Sequence, residues 1–364
     1  MKIYLCYPWK FPDSPYYKYL LKYPPESVKY VNSSSKFKVI SSSKIFKINN
    51  IAKNFARAFM SFLEFPNVIK PPEIDVDLFH CAHCLAKSSR PWVVDIEHYW
   101  IFSSLGKISY SQTGKKIIRK LLLSKTCKKI LPWTKAAEKS LLEAIQDREI
   151  KEKTQVLYPA VPCFVKKIKK KRKGSLVLLF VARRFWGKGG LIALEVMKEI
   201  LKFYEGVKCI CISPVPERLK KHYSQHGIKI LDLMPQSELM KFYECADVLV
   251  YPGFSDTFGF ALLEAMAFGI AIITANGFAR KEIVENEKGG FVIEFKQPLT
   301  CYKLGKNERE LVEKFVEKTK ELVENTKLRK KMGKHNFFLI KKGKFSIKER
   351  NKKLVEIYDS CLKG

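Results

Sequence analysis

The sequence is short of acidic residues. It holds 36 aspartates and glutamates against 68 lysines and arginines in 364 residues, so its formal net charge is +32. A charge of this size points to anionic partners, among them nucleotide phosphates, anionic lipid and nucleic acid. The chain is long enough for two domains of ordinary size, and its hydrophobic share of 46% can fill two cores.

A disulfide framework, a signal peptide, a membrane span and internal repeats are also missing. The ten cysteines are scattered, and several lie in apolar strand-like runs, so we expect reduced thiols in a cytosolic compartment. The opening residues predict a first strand, with prolines too close behind it for a signal peptide. The apolar window Phe258 to Ala275 contains Glu264 and Gly269, which favours a helix joined to a strand over a span.

The most informative stretch runs from Val248 to Glu264 and reads V-L-V-Y-P-G-F-S-D-T-F-G-F-A-L-L-E. An apolar run of β-type residues breaks at Pro252-Gly253, and helix formers follow from Ala261 to Phe268. The pattern predicts a strand, a turn and the start of a helix. Open α/β sheets bind their ligands at such turns.

Two acids in this stretch are candidate ligand-binding residues. Glu264 falls on an apolar helical face, where a carboxylate needs hydrogen-bond donors such as the two hydroxyls of a ribose. Asp256 lies in the loop before the helix. The amides of Thr257, Phe258 and Gly259 would face the helix N-terminus, which favours phosphate. The alternative is a buried Glu264 that is satisfied by a protein donor.

The same stretch continues at regular spacing into the next strand. The set is Asp256, Thr257-Phe258-Gly259, Glu264-Ala265-Met266-Ala267, Gly269, the strand Ile270 to Thr274, Gly277 and Glu282. This order resembles the donor-site signature of family-four retaining glycosyltransferases (group 1), which have the GT-B fold. The chain departs from the signature at its first acid, because Asp256 stands where the family normally has glutamate.

A second cluster of candidate residues follows the apolar strand Leu176 to Val181. Arg183 and Lys188 flank a glycine-rich loop that ends in Gly189 and leads into a helix. Two cations and free amides at a strand-to-helix turn suit a diphosphate. The loop also resembles the family, although Ala182 replaces its first glycine. A solvated basic loop is the alternative.

The resemblance implies an α/β protein of the GT-B type, with two Rossmann-like doubly wound domains facing across a cleft. Residues 1–165 would form the N-terminal acceptor-binding domain, and residues 174–345 the C-terminal domain that binds the nucleotide sugar. A final helix over about 346–364 would pack back on the first domain. The basic run Lys166 to Lys173 would be the linker, with a nucleic-acid patch as the alternative.

The first half offers weaker candidates. A strand ends in Glu97-His98, and both residues could serve at a strand's carboxyl end, where His98 also resembles a histidine of the family. His80-Cys81-Ala82-His83-Cys84 has metal-ligand residue types, but no second ligand pair lies nearby, so core thiols are favoured over zinc. Acceptor chemistry cannot be carried over to the loop Trp9 to Pro15, which lacks the family's glycine pair.

The segment Lys115 to Lys129 predicts a basic amphipathic helix. Its apolar residues would either face the core or lie on an anionic membrane surface. We therefore expect a cytoplasmic protein, with peripheral association at the inner face of the membrane as an open alternative.

The resemblance as a whole implies a retaining transfer of a hexose-type sugar from a nucleotide diphosphate sugar to a glycan, lipid or other acceptor. Asp256 and His98 are the catalytic candidates, and the donor-binding set is Arg183, Lys188, Gly189, Thr257, Phe258, Gly259 and Glu264. No metal and no cofactor beyond the co-substrate are expected. The alternatives are an epimerase of sugar nucleotides on the same fold and a basic nucleic-acid-binding protein.

Overall fold

The computed structural model describes residues 1–7, 14–32, 51, 66–103, 110–168, 175–295 and 302–363. These residues form two compact units. The first contains the described residues up to Ala160 and those from Ile347 on, and the second runs from Val161 to Ser346. The predicted linker residues 169–173 and the loop residues 9–13 lie outside the described ranges.

The strands are β1 Lys2–Cys6, β2 Lys29–Tyr30, β3 Val68–Ile69, β4 Leu78–Ala82, β5 Leu85–Ala86, β6 Trp92–Ile96, β7 Cys127–Pro132, β8 Leu176–Val181, β9 Val207–Ile212, β10 Ile228–Leu231, β11 Val248–Tyr251, β12 Ala271–Ala275 and β13 Gly290–Ile293. The helices are α1 Pro15–Lys22, α2 Gln112–Leu122, α3 Lys135–Ala144, α4 Arg148–Lys153, α5 Gly190–Leu201, α6 Glu217–Ser224, α7 Gln236–Cys245, α8 Phe260–Ala267, α9 Arg280–Ile283, α10 Lys306–Glu324, α11 Thr326–Lys341 and α12 Ile347–Lys363, with a 3-10 helix at Tyr99–Phe102.

In the first unit, the described strands of the main sheet are parallel and follow the order β2-β1-β4-β6-β7. The order reverses direction between β1 and β4. In an open α/β sheet, the carboxyl ends of the strands on either side of such a reversal form the usual binding crevice. This edge of the first unit is therefore one of two places where the fold favours a ligand.

The second unit has the other such edge. Its described strands are parallel in the order β10-β9-β8-β11-β12-β13, which is the doubly wound order 3-2-1-4-5-6. The reversal lies between β8 and β11, the two strands that precede the predicted site loops. β8 is buried along almost its whole length, which explains its near-continuous apolar sequence. The predicted α/β fold of parallel, doubly wound sheets is thus confirmed.

The predicted helix at Lys115–Lys129 is wrong in its second half. Helix α2 ends at Leu122, and residues from Cys127 on form β7, which pairs in parallel with β6. The apolar residues Ile118 and Leu122 are fully buried in the core of the first unit. The helix therefore uses its apolar face for the core, as one of the two sequence interpretations had it.

Helix α12 is part of the first unit and packs against β7. Its residues Leu354, Ile357 and Tyr358 are buried, and the Tyr358 hydroxyl lies 2.6 Å from Nδ1 of His80 in β4. In the part of the chain that the structure describes, no helix combines the length and the apolar character that a bilayer crossing requires.

Candidate active site

Two loops meet where the strand order of the second unit reverses. Between β8 and α5, Gly187 O accepts from Ser255 N (2.8 Å), and Lys188 O accepts from Gly253 N (2.9 Å). Gly189 has a φ of +74°, and a Cβ there would lie 2.5 Å from the Pro252 side chain. The β8–α5 loop and the β11–α8 loop therefore fit against each other only because position 189 is glycine.

The side chain of Asp256 is central to the contact between these loops. One carboxylate oxygen lies 2.7 Å from Lys188 Nζ, and the other accepts from the Tyr251 hydroxyl at 2.5 Å. Burial, reinforced by the Asp256 charge, holds the pKa of Tyr251 well above its ordinary range, so the phenol stays a donor. A cation and a neutral hydrogen-bond donor thus hold the Asp256 carboxylate near the N-terminus of α8.

Arg280 stabilises the backbone of the same loop. Its side chain is 1% exposed, donates through Nε to Ala275 O at 3.1 Å, and donates through an Nη to the main-chain oxygen of Asp256. A Cβ at Gly277 would come within 2.8 Å of this guanidinium. The glycine therefore leaves room for a buried cation that fixes the backbone at Asp256.

Glu264 lies on α8 and is buried, as its apolar helical face predicts. Its Oε1 accepts a hydrogen bond of 3.1 Å from Nε2 of Gln236, at the start of α7. A protein donor therefore meets part of its hydrogen-bonding need. The contact also places a second polar side chain beside Glu264. It comes from α7, which precedes β11 in the sequence, whereas α8 follows β11.

The remaining donor-site candidates lie around the same loops. Gly259 is the N-cap of α8 with a φ of +95°, and Phe258 before it is buried while Thr257 is half-buried. Arg183 follows β8 and is half-buried, and its charge opposes the rise in the pKa of Tyr251. The second unit thus gathers the whole predicted donor set at one edge of its sheet.

His98 belongs to the first unit. It is the N-cap of the 3-10 helix, where Nδ1 accepts from Trp100 N at 3.4 Å and the ring stacks on Trp100 with centroids 3.7 Å apart. Burial lowers the pKa of His98 to about 4, so the imidazole is neutral near pH 7. With Nδ1 as an acceptor, the ring proton lies on Nε2.

The His80–Cys84 segment does not assemble a metal site. Cys81 and Cys84 are buried beside Cys6, and no group of three or more potential ligand side chains converges anywhere in the described ranges. Burial and the neighbouring thiols hold the pKa of Cys81 well above its ordinary value. These thiols form part of the core, as the sequence favoured.

Sequence reasoning missed Tyr251, Gln236 and Arg280. In the sequence Tyr251 is the last residue of an apolar run, and only its position directly before Pro252 indicates a side chain at the site. Gln236 follows a proline at a helix start and carried no signal. Arg280 lies between the matched residues Gly277 and Glu282, and a charged residue in that buried stretch was a usable clue.

Solved structures share this fold, among them one with UDP and glucose bound and one of a glycosyltransferase. Anabaena Alr3699/HepE in complex with UDP and glucose matches with a TM-score of 0.62 at 14% identity, over 99% of this chain and 100% of that one. A glycosyltransferase from Rickettsia africae matches with a TM-score of 0.62 at 16% identity, over 100% and 98%. The chain thus has the fold of the GT-B glycosyltransferases.

The sequence of the second unit matches a known family. Residues 164–301 match the family Glycosyl transferases group 1. The segment contains both site loops.

Relatives with curated names agree with the family. An uncharacterized glycosyltransferase of Methanocaldococcus jannaschii is 29% identical over 127 residues, which is 34% of this chain and 33% of that protein. A D-inositol 3-phosphate glycosyltransferase of Corynebacterium diphtheriae is 34% identical over 68 residues, or 18% and 16% of the two chains. The matched segments span a third or less of these relatives' lengths.

Proposed function

We propose that the chain is a retaining glycosyltransferase that moves a hexose-type sugar from a nucleoside diphosphate sugar to an acceptor. The observation that carries this proposal is the Lys188–Asp256 pair, which lies between two interlocked loops at the strand reversal of the second unit. A cation and a helix N-terminus at such an edge suit a diphosphate, and an adjacent carboxylate suits sugar hydroxyls. The bound UDP and glucose of the Anabaena protein fit this proposal.

Each site residue has a role in this reaction. Lys188 and Arg183 would bind the diphosphate and stabilise the charge that develops on the leaving group. Glu264 would bind the ribose hydroxyls. Asp256, together with main-chain amides at Phe258 and Gly259, would position the transferred sugar. Cations and amides supply the positive charge here, so we propose that neither a metal nor a cofactor is required.

The second unit would bind the donor and the first unit the acceptor. His98 is neutral and carries its proton on Nε2, so its contribution would be a neutral hydrogen bond and not a positive charge. The acceptor we propose is a carbohydrate, free or lipid-linked.

A thermal-shift screen against UDP, GDP and ADP sugars tests the donor assignment, because a ligand that binds only the native state raises the melting temperature. The best donor is then incubated with and without saccharide acceptors. We expect nucleoside diphosphate release that depends on acceptor, with retained anomeric configuration in the product. Release of an isomerised nucleotide sugar without acceptor would indicate an epimerase, and no stabilisation by any nucleotide would contradict the proposal.

We also propose peripheral association with anionic membranes, through charge alone. The apolar side of α2 is buried, but Lys116 and Lys120 are exposed, and the exposed Arg119 pairs with Asp147 at 2.6 Å. Binding to anionic vesicles should therefore weaken steeply with salt. Vesicle flotation compares the wild type with Lys116→Gln/Lys120→Gln, and equal recovery of both proteins, or none at low salt, would contradict the idea.

A further inference from the structure

The carboxyl edge of the first unit's sheet contains a second arrangement of polar side chains. His83 follows β4 directly, at the reversal of strand order between β1 and β4. Its main-chain N–H donates at 3.2 Å to the main-chain oxygen of Asp95, a residue of β6 whose carboxylate is fully buried. The position of His83 in this sheet corresponds to that of the donor-site loops in the other sheet.

The tautomer of His83 follows from its partner. His83 Nδ1 lies 3.1 Å from the main-chain oxygen of Asp95 and 3.4 Å from a carboxylate oxygen of the same residue. A peptide oxygen only accepts hydrogen bonds, so Nδ1 carries the proton. The other ring nitrogen, Nε2, is then a hydrogen-bond acceptor in the neutral ring. His98 has the opposite tautomer, with Nδ1 as the acceptor.

Rigid neighbours fix the orientation of this imidazole. Its ring centroid lies 4.7 Å from that of Trp133 and 5.7 Å from that of Tyr17, and both of these side chains are buried. Asp95 in turn accepts from the Tyr17 hydroxyl and lies 2.8 Å from His80 Nε2. The network holds the carboxylate in place behind His83, as second-layer acids hold imidazoles in many sites.

The backbone at His83 is also unusual. Its φ is +57°, a left-handed conformation that few residues other than glycine adopt. Strained backbone of this kind is concentrated at functional sites. The side chain nevertheless keeps 15% of its surface exposed, whereas Asp95 has none. The result is an oriented imidazole at the carboxyl edge of the sheet, with part of its surface exposed.

We infer that His83 accepts a hydrogen bond through Nε2 from a hydroxyl group of the acceptor saccharide, with Asp95 as its positioning residue. This inference rests on the proposed function, because it assigns a residue of the first unit to the acceptor. A hydroxyl group can donate or accept a hydrogen bond. The oriented lone pair on Nε2 would make the hydroxyl group the donor. Aromatic walls with a few oriented polar atoms are typical of small-ligand sites.

His83→Asn is the variant that isolates Nε2. The asparagine amide can still donate to Asp95 O from the position of Nδ1, and asparagine tolerates a positive φ, so the fold should be kept. We expect an unchanged melting temperature, an unchanged donor KM and about tenfold weaker acceptor binding for the loss of one hydrogen bond. The matched control is His226→Asn, an exposed imidazole of the second unit, which should behave as wild type.

Binding is measured with turnover as a second readout. The probes are methyl glucoside, methyl galactoside, methyl mannoside and myo-inositol, each added with nucleoside diphosphate to protein with ¹⁵N-labelled histidine. We expect one of them to shift the Nε2 resonance of His83 and to bind His83→Asn about tenfold more weakly. No shift with any probe, or equal affinity of both proteins, would overturn the inference. If the proposed function itself is wrong, the result is different, because the wild-type protein then binds no nucleotide.

Discussion

Lys188 Nζ and Asp256 Oδ1 lie 2.7 Å apart. Their ion pair joins the β8–α5 loop to the β11–α8 loop, which lie far apart in the sequence. Lys188 also donates to Ser255 O at 3.3 Å, so its ammonium group already has protein partners in both Asp256 and Ser255. An incoming diphosphate must therefore share this cation with Asp256 or take it over. The pair couples the phosphate-binding role proposed for one loop to the sugar-binding role proposed for the other.

Lys188→Ala should weaken nucleoside diphosphate binding by about 10- to 100-fold, the loss expected for a hydrogen bond to a charged group. Binding of the corresponding nucleoside should change little, because the cation would contact only phosphate. Calorimetry with both ligands measures the difference. Lys202→Ala is the control, since Lys202 is an exposed lysine paired with Glu199 in the same unit. Equal losses for nucleoside and diphosphate would contradict the assignment.

Substitutions of the two acids should affect donor binding and turnover differently. Glu264→Gln keeps one acceptor oxygen and should weaken donor binding by about 1–3 kcal/mol, because the ribose loses a charged partner. Asp256→Asn should leave nucleotide affinity nearly intact and lower kcat, because its contact matters as the sugar–phosphate bond breaks. Steady-state kinetics and nucleotide affinity of both variants decide between these outcomes.

A structural role would give another pattern for the same variants. If Asp256→Asn turns over normally and Glu264→Gln binds nucleotide normally but melts early, Glu264 is only a core carboxylate held by Gln236. Asp256 would then be a loop residue that anchors Lys188 and Tyr251. That result would remove the donor site from this edge of the sheet.

The sequence predicted the strands and helices around the site closely. It did not predict the contacts between distant residues, and this difference has a physical reason. The bounds of β8 and β11 agree with the prediction, because apolar runs between turn residues leave little freedom in a buried parallel sheet. Thr134 caps α3, as threonine commonly does before a helix, and its hydroxyl accepts from Ala137 N at 3.0 Å. Such local signals are contained in a few adjacent residues.

Contacts between distant residues were not predictable in the same way. The Arg280 bond to Asp256 O spans 24 residues, and its formation depends on the glycines that leave it room. The Tyr251 bond to Asp256 depends on the turn at Gly253, whose φ is +67°. The prediction of one helix over Lys115–Lys129 failed because its helical periodicity was extended into a strand defined by pairing with β6.

Arg280 should matter for turnover because it holds the backbone at Asp256. Arg280→Met leaves the main-chain oxygens of Ala275 and Asp256 without their buried donor, at a cost of about 1–3 kcal/mol each in the free energy of unfolding. The loop should shift at the same time, so kcat should fall while nucleoside affinity is kept. Arg280→Lys should recover part of both losses.

Thermal melts and steady-state kinetics check the Arg280 prediction. The control is Arg218→Met, which removes an exposed guanidinium from α6 of the same unit and should change neither quantity. A variant Arg280→Met that melts early but turns over as wild type would restrict Arg280 to stability.

The last prediction concerns the stability of the first unit. Tyr358 of α12 places its hydroxyl 2.6 Å from His80 Nδ1 and 3.2 Å from the Tyr30 hydroxyl, and all three side chains are buried. Tyr358→Phe keeps the ring but leaves an imidazole nitrogen unsatisfied, so the free energy of unfolding should fall by about 1–3 kcal/mol. Hydrogen exchange of amides in β4 and α12 measures this effect, because it reports local opening within one unit. Tyr302→Phe, which removes a hydroxyl from a residue that is 71% exposed, is the control and should have no measurable effect. Nucleotide affinity should be unchanged in both variants, since the Tyr358 hydroxyl bonds only within the first unit and Tyr302 is largely exposed to solvent. Equal exchange rates in Tyr358→Phe and wild type would show that the hydroxyl contributes nothing to the attachment of α12.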